Sequence, residues 1–199
     1  MTLITVLIPT LNEAQGIAGV LDGIPVDIFE SMGHDTEILV IDGGSSDGTC
    51  KIASDKGAKV ILERGCKASA VRRGLRESSG EYVFTIDGDG TYPPERMVDM
   101  LVELKDGSAM VLASRLNGEL CPGSMSSLNG FGNRFLTKMA NGLYGVKVTD
   151  LCTGLRGFKR SSLDGREPPG KGFEIEAGIH SLLADKGISE VPIEYRARK

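Results

Sequence analysis

The stretch Tyr82-Val83-Phe84-Thr85-Ile86-Asp87-Gly88-Asp89-Gly90 sets the reading of this chain. Its first five residues are mostly aromatic or β-branched, which predicts a short buried strand from Tyr82 to Ile86. Two carboxylates one residue apart follow at once, set between glycines. At the carboxyl end of a parallel strand they stand on the sheet edge where open α/β proteins hold ligands. Magnesium and manganese are hard cations that take oxygen ligands, often one or two carboxylates completed by substrate phosphates. Asp87 and Asp89 are therefore candidate ligands for Mg2+ or Mn2+. They are also candidate catalytic residues, since such a cation acts as a Lewis acid on a departing diphosphate. The competing reading is an acidic, glycine-rich turn with solvated side chains.

Working outward, apolar runs and helical spacings alternate. Leu3 to Ile8 predicts a strand and Glu13 to Leu21 a helix. Glu37 to Ile41 predicts the next strand, and a helix from Gly48 to Lys56 can be capped by Ser46 or Asp47. Lys59 to Leu62, a helix over Ser69 to Glu77, and the strand at Tyr82 follow. Pro93 and Pro94 suit the first turn of a helix carrying Met97, Met100, Leu101 and Leu104 on one face, and Ala109 to Ala113 gives a fifth strand. Such alternation implies crossover units and a mostly parallel sheet. The second half is less regular. A polar loop from Leu116 to Ser127 precedes an amphipathic helix over Leu128 to Leu143, then a loop through Thr153, a helix over Phe173 to Ala184, and a strand from Ile188 to Ile193. On the amphipathic helix, Leu128, Phe131, Phe135, Met139 and Leu143 form an apolar stripe that reads as core.

The chain has 199 residues, 40% hydrophobic and 25% charged, enough for one sizeable core. A single domain over 1–199 is expected, with a ligand-binding half at 1–114 and a second half at 115–199. The net charge of -4 argues against a nucleic-acid partner, which calls for excess Lys and Arg. Cys50, Cys66, Cys121 and Cys152 show no zinc spacing and read as free thiols of a reducing cytoplasm. No signal peptide or long apolar segment is legible, so a cytoplasmic domain, peripheral to a membrane at most, is expected.

Two further turns belong beside the acidic one. Ile8-Pro9-Thr10-Leu11-Asn12-Glu13 follows the first strand, and Ile41-Asp42-Gly43-Gly44-Ser45-Ser46-Asp47-Gly48-Thr49 follows the second. Glu13 can accept from ribose hydroxyls and Asp42 from a base N–H, while Asn12 and Asp47 can equally serve as helix caps. Arg64 and Lys67, where a helix opens, can meet a phosphate or form a solvated basic loop. Neither a Gly-x-Gly-x-x-Gly turn after the first strand nor a P-loop is present, which argues against dinucleotide oxidoreductases and P-loop enzymes.

The order Pro9-Thr-Leu-Asn-Glu13, Ile41 to Thr49, then Asp87-Gly-Asp89 with Pro93-Pro-Glu95 resembles the family-2 glycosyltransferases over nearly the whole chain. Within that family, Asp150-Leu-Cys-Thr-Gly-Leu-Arg-Gly-Phe-Lys-Arg160 and Val191-Pro-Ile-Glu-Tyr-Arg-Ala-Arg198 are similar to the dolichyl-phosphate mannosyltransferase and polyprenyl-phosphate glycosyltransferase branch. The resemblance implies a GT-A fold and a nucleotide-sugar donor bound by Pro9, Thr10, Glu13 and Asp42, with Lys67 nearby. It implies a metal and diphosphate at Asp87 and Asp89, and Arg115, Arg134 and Arg198 facing an acceptor phosphate. The implied reaction is inverting transfer of a hexose, from a GDP-mannose or UDP-glucose type of donor, to a polyprenyl or dolichyl phosphate. The alternatives are a glycan hydroxyl acceptor, for which Asp150 is either the base or a loop anchor, and a catalytically silent binding subunit. Gly43, Thr91 and Tyr92 depart from the family's usual aspartate, glutamine and histidine, and the chain stops before the Gly-x-Ser-Lys stretch common in relatives.

Overall fold

A computed structural model describes residues 2–198, so the end of the chain at Lys199 lies outside the described residues. Each apolar run becomes a strand. These are β1 (Thr2–Thr10), β2 (His34–Asp42), β3 (Lys59–Leu62), β4 (Tyr82–Thr85), β5 (Met110–Leu120), β6 (Arg156–Lys159) and β7 (Ile188–Tyr195). The helices are α1 (Ile17–Gly23), α2 (Val26–Ser31), α3 (Thr49–Asp55), α4 (Lys67–Glu77), α5 (Met97–Lys105), α6 (Ser127–Tyr144) and α7 (Ile175–Leu183). All seven strands form one sheet in the order β3-β2-β1-β4-β6-β5-β7. Neighbours are parallel except at β6, which runs antiparallel to both β4 and β5.

Alternation along the strands divides the core into two layers, because successive side chains leave opposite faces of a sheet. Ile4, Val6 and Ile8 of β1 join α1, α2, α3 and α5 on one face, whereas Leu7 joins α4 and α7 on the other. Burial on both faces explains why the central strands read as continuous apolar runs. The result is the expected GT-A arrangement, a mostly parallel sheet flanked by helices with a mixed C-terminal region.

The second half departs from expectation in three places. Residues 116–120 extend β5 rather than forming a loop, and a β-carbon at Gly118 would collide with the backbone of Ile193 on β7, so glycine permits the pairing. β6 is a four-residue strand whose sequence, Arg-Gly-Phe-Lys, carries no alternation of its own; its neighbours on both sides specify it. Most consequential is α6, where the expected core stripe faces outward. Leu128 is 78% exposed, Phe131 69% and Leu143 75%, with Phe135 and Met139 also exposed. The buried face carries Gly130, Asn133, Thr137 and Ala140. It packs on irregular backbone, whose polar groups need partners when buried. Asn141 accepts from the Val148 N–H at 3.1 Å and donates to its carbonyl at 2.7 Å, and Thr137 accepts from the Leu151 N–H. Among the described residues no helix is long and apolar enough to cross a membrane.

Candidate active site

The carboxyl ends of β1, β2 and β4 bring Thr10, Asp42 and the Asp87 turn to one sheet edge. β5 adds Arg115, midway along the strand where its pairing with β7 becomes irregular, and the tail after β7 adds Arg196 and Arg198. β6 runs the other way, so the segment that enters it, 150–155, lies at this edge too. A cavity of about 360 Å3 opens there, lined by Pro9, Thr10, Glu13, Lys67, Asp87, Asp89, Phe173 and Arg198 among others.

The first two turns knit each other together. Asn12, at φ 55°, caps no helix: its side chain accepts from the Ser46 N–H at 2.9 Å, while its own N–H donates to Ser45 Oγ at 2.8 Å. Asp47 accepts from Thr49 N–H and Thr49 Oγ1 at the start of α3 and from Ala14 N–H, a loop-tying role. Asp42 is fully buried and already engaged by Gly44 N–H, Ser45 N–H, Ser45 Oγ and Thr10 Oγ1. Burial pushes its pKa up, but those donors outweigh it and hold the carboxyl below its usual range. It does not line the cavity, so the expected contact with a base N–H is replaced by an organising role for the 43–45 turn.

Glu13 does line the cavity. Burial raises its carboxyl pKa, and Asp89 and Asp87 add to the rise while Arg198 opposes it. Arg198 donates to Glu13 Oε2 at 2.6 Å. It therefore stands at the expected donor pocket, not at a separate acceptor phosphate.

Asp89 accepts at Oδ1 from both the N–H and the hydroxyl of Thr91, at 3.0 and 2.7 Å. Thr91, which replaces the family's usual glutamine, thus orients the second carboxylate. Asp87 Oδ1 lies 2.6 Å from Lys67 Nζ, which also reaches Glu176 Oε1 at 2.6 Å. Burial pulls the Lys67 pKa down, but Asp87 and Glu176 prevail and keep it raised. An ammonium thus already occupies Asp87 Oδ1, so a metal ion bound here would share that carboxylate with Lys67. Among the described residues no three His, Cys, Asp or Glu gather to hold a metal. Two carboxylates fit a hard cation whose remaining oxygens come from a diphosphate and water.

On the other side of the 152–154 turn a second cavity, about 390 Å3, is lined by Arg115, Asn133, Leu128, Leu136, Cys152 and Tyr195 among others. Arg115 is buried and donates through Nε and Nη2 to both oxygens of Asp150, at 2.7 and 2.8 Å, and to the Cys152 carbonyl. Its guanidinium also lies over the rings of Tyr92 and Tyr195. Asp150 is fully buried and accepts further from Arg115 N–H and Asn133 Nδ2. Burial raises its pKa, and these donors more than reverse that. A carboxylate so held has no lone pair or basicity to spare, so Asp150 is the loop anchor and not a base. Arg134 is exposed on α6 and lines neither cavity; the fold does not bring it to the site.

Residue patterns did not reveal Glu176, Phe173, Tyr195 or Arg156 as neighbours of the site. An acidic residue in a first helical turn is ordinary dipole compensation, so Glu176 gave no separate signal.

A sheet of this topology with paired carboxylates over a cavity at its carboxyl edge defines a GT-A-like fold. The chain belongs to glycosyl transferase family 2, whose model matches residues 5–166. It is similar to glycosyltransferase AglJ of Haloferax volcanii, 35% identical over 98% of this chain and 63% of that protein. A dolichyl-phosphate hexose transferase of the same organism is 33% identical, over 98% of this chain and 83% of that one. Glucosyl-3-phosphoglycerate synthase from Mycobacterium tuberculosis, solved with Mn2+, UDP-glucose and phosphoglyceric acid, matches all of this chain and 72% of its own at TM-score 0.75 and 25% identity.

Membership of this family accords with the expected class of enzyme, and the expected divalent metal with the Mn2+ of that structure. The narrower expectation, membership of the polyprenyl-phosphate branch with inverting transfer to a polyprenyl or dolichyl phosphate partner, is corrected. Glucosyl-3-phosphoglycerate synthase, which matches the whole of this chain, is solved with phosphoglyceric acid or with its glucosyl product, and the acceptor in those structures is a small phosphorylated molecule rather than a lipid phosphate.

Proposed function

We propose that this chain transfers a sugar from a nucleotide diphosphate sugar to a small phosphorylated acceptor, using a divalent cation held by Asp87 and Asp89. The observation that carries this reading is that both carboxylates face a single cavity whose walls hold Glu13 and Lys67. Pro9, Thr10 and Glu13 would receive the nucleoside, Arg198 and Lys67 the diphosphate, and Asp42 would keep the floor in shape. When bound, the cation supplies positive charge to the departing diphosphate. Arg115 has Nε and Nη2 engaged by Asp150, which fixes its plane and directs its remaining capacity to the second cavity, where it would position the acceptor phosphate. On this reading residues 1–114 serve the donor and 115–199 the acceptor, except that the tail after β7 returns Arg198 to the donor cavity. The test is transfer of labelled sugar from UDP- and GDP-sugars to 3-phosphoglycerate and to glycerate, with and without Mn2+. Metal-dependent transfer that requires the acceptor's phosphate is expected; equal use of glycerate, or transfer untouched by chelation, would refute it.

Peripheral attachment to a membrane finds its support in α6. That helix contains Arg134 and Lys138 and no acidic residue, in a chain of net charge -4, and its exposed face is apolar. A helix of this kind lies in an anionic lipid interface, whereas antiparallel pairing of two copies would set like charges side by side. Sedimentation with phosphatidylserine-containing vesicles, lost in Phe131→Ser/Phe135→Ser, is expected. A dimer in ultracentrifugation without vesicle binding would overturn this.

A further inference from the structure

Arg156 is the largest fully buried side chain of the molecule, 1% exposed, and among the described residues it has no carboxylate within ion-pair distance. Its guanidinium is instead held by main-chain carbonyls. Nη1 donates to Glu176 O at 2.7 Å, and Nη2 donates to Leu151 O at 3.3 Å and to Thr153 O. Nε has no partner. A buried charge without a counter-ion is costly, so its presence calls for a reason beyond filling the core.

The segments it grips supply one, since both lead to the same carboxylate. The Thr153 carbonyl belongs to the peptide that joins Gly154, and Gly154 lies so close to Asp87 that a β-carbon there would collide with Asp87 Oδ2. The Gly154 N–H is itself held by Tyr92 Oη at 2.7 Å. The Glu176 carbonyl belongs to the first turn of α7, and the Glu176 carboxylate holds Lys67, which holds Asp87 Oδ1. One guanidinium therefore fixes the turn behind one oxygen of Asp87 and the helix whose Glu176 holds Lys67, the partner of the other oxygen. Arginine suits this task because its planar fork donates in fixed directions, whereas lysine offers a single point.

We infer that Arg156 is a positioning residue for the metal carboxylate, acting on Asp87 through the Gly154 turn on one side and through Glu176 and Lys67 on the other. The inference rests on the reading of Asp87 as a metal ligand. It deepens that reading, because residues behind a ligand commonly set metal affinity roughly tenfold to a hundredfold.

The test measures Mn2+ binding by electron paramagnetic resonance titration with UDP and with GDP, beside thermal unfolding of the metal-free protein. Arg156→Lys keeps the charge and loses the fork; Gly154→Ala displaces Asp87 without touching Arg156. Both are expected to weaken Mn2+ binding by roughly tenfold or more in protein that remains folded. A purely structural role would lower the metal-free melting temperature of Arg156→Lys but leave the Mn2+ dissociation constant of the folded fraction unchanged, and that result overturns the inference. Asp87→Asn separates the two levels. If it leaves Mn2+ binding intact, or if the unaltered chain binds no Mn2+, the metal reading fails and the inference with it. If Asp87→Asn abolishes binding while Arg156→Lys and Gly154→Ala do not affect it, only the positioning role fails.

Discussion

Asp150→Asn distinguishes an anchor from a base. The carboxylate is fully buried and accepts four hydrogen bonds, from Arg115 N–H, Nε and Nη2 and from Asn133 Nδ2, at 2.9, 2.7, 2.8 and 2.5 Å. An amide keeps one oxygen and points an NH2 group at donors, so some hydrogen bonds are lost, two donors face each other, and Arg115 is left as a buried cation. Breaking a buried pair by removing one partner costs about 3–5 kcal/mol. For a chain of this size each kcal/mol lowers Tm by roughly 2–4 °C, giving an expected fall of about 6–20 °C. The pH dependence has a definite sign. Because the folded carboxyl is depressed despite its burial, its contribution is fully present above the unfolded pKa of about 3.9 and is lost as pH falls through the lower folded value. Unfolding of the unaltered protein should therefore steepen in acid below about pH 4, and Asp150→Asn should lose that component. Chemical denaturation across pH, with steady-state kinetics on the folded fraction, is the assay. A variant with unchanged Tm and abolished turnover would mean that Asp150 is a base, and the anchoring argument would be wrong.

The remaining predictions probe the metal, the outward helix and a buried imidazole. Asp89→Asn keeps an oxygen for Thr91 but removes the charge, so the Mn2+-dependent rise in Tm with UDP or GDP should vanish; a saturating ligand otherwise contributes about 2.7 kcal/mol at a hundredfold excess over Kd. Phe131→Ser and Phe135→Ser should each change stability by about 0.5 kcal/mol or less, against about 3–5 kcal/mol for loss of a core phenylalanine, as urea titration would decide. His180 is buried beside Tyr144 with neither ring nitrogen bonded, and burial, with Arg156 adding, depresses its pKa to about 4. The unfolded chain takes up that proton near 6.5, so stability should fall as pH drops from about 6.5 to 4. His180→Phe should flatten that interval, and an unchanged profile would count against it.

The acidic turn after β4, the polar turns after β1 and β2, and the alternation of strand and helix were legible in residue order because each is a local pattern with a local physical cause. Apolar β-branched runs between turn residues predict buried strands, and parallel strands carry their following turns to a common edge. What residue order left undecided was which partner each polar group meets. Asp42 and Asp150 looked available for ligands, yet Asp42 is consumed by Gly44 and Ser45 of its own turn and by Thr10 of β1, and Asp150 by Arg115 and Asn133 from other segments.

α6 shows the limit most plainly. Its spacing correctly predicted an amphipathic helix, and an apolar stripe ordinarily turns inward. Here the 148–152 backbone needs hydrogen-bond partners, so Asn133, Thr137 and Asn141 face it and the apolar side turns out. Sequence by itself determined most of the elements, though not α2, β6 or the outer part of β5, together with the class of sheet and the residue types able to hold a cation and a diphosphate. Tertiary structure alone decided that Arg115 meets Asp150, that Lys67 meets Asp87 and Glu176, and that Arg134 stays away. Those pairings depend on long-range packing and on which buried donors must be satisfied, neither of which is encoded in the spacing of neighbouring residues.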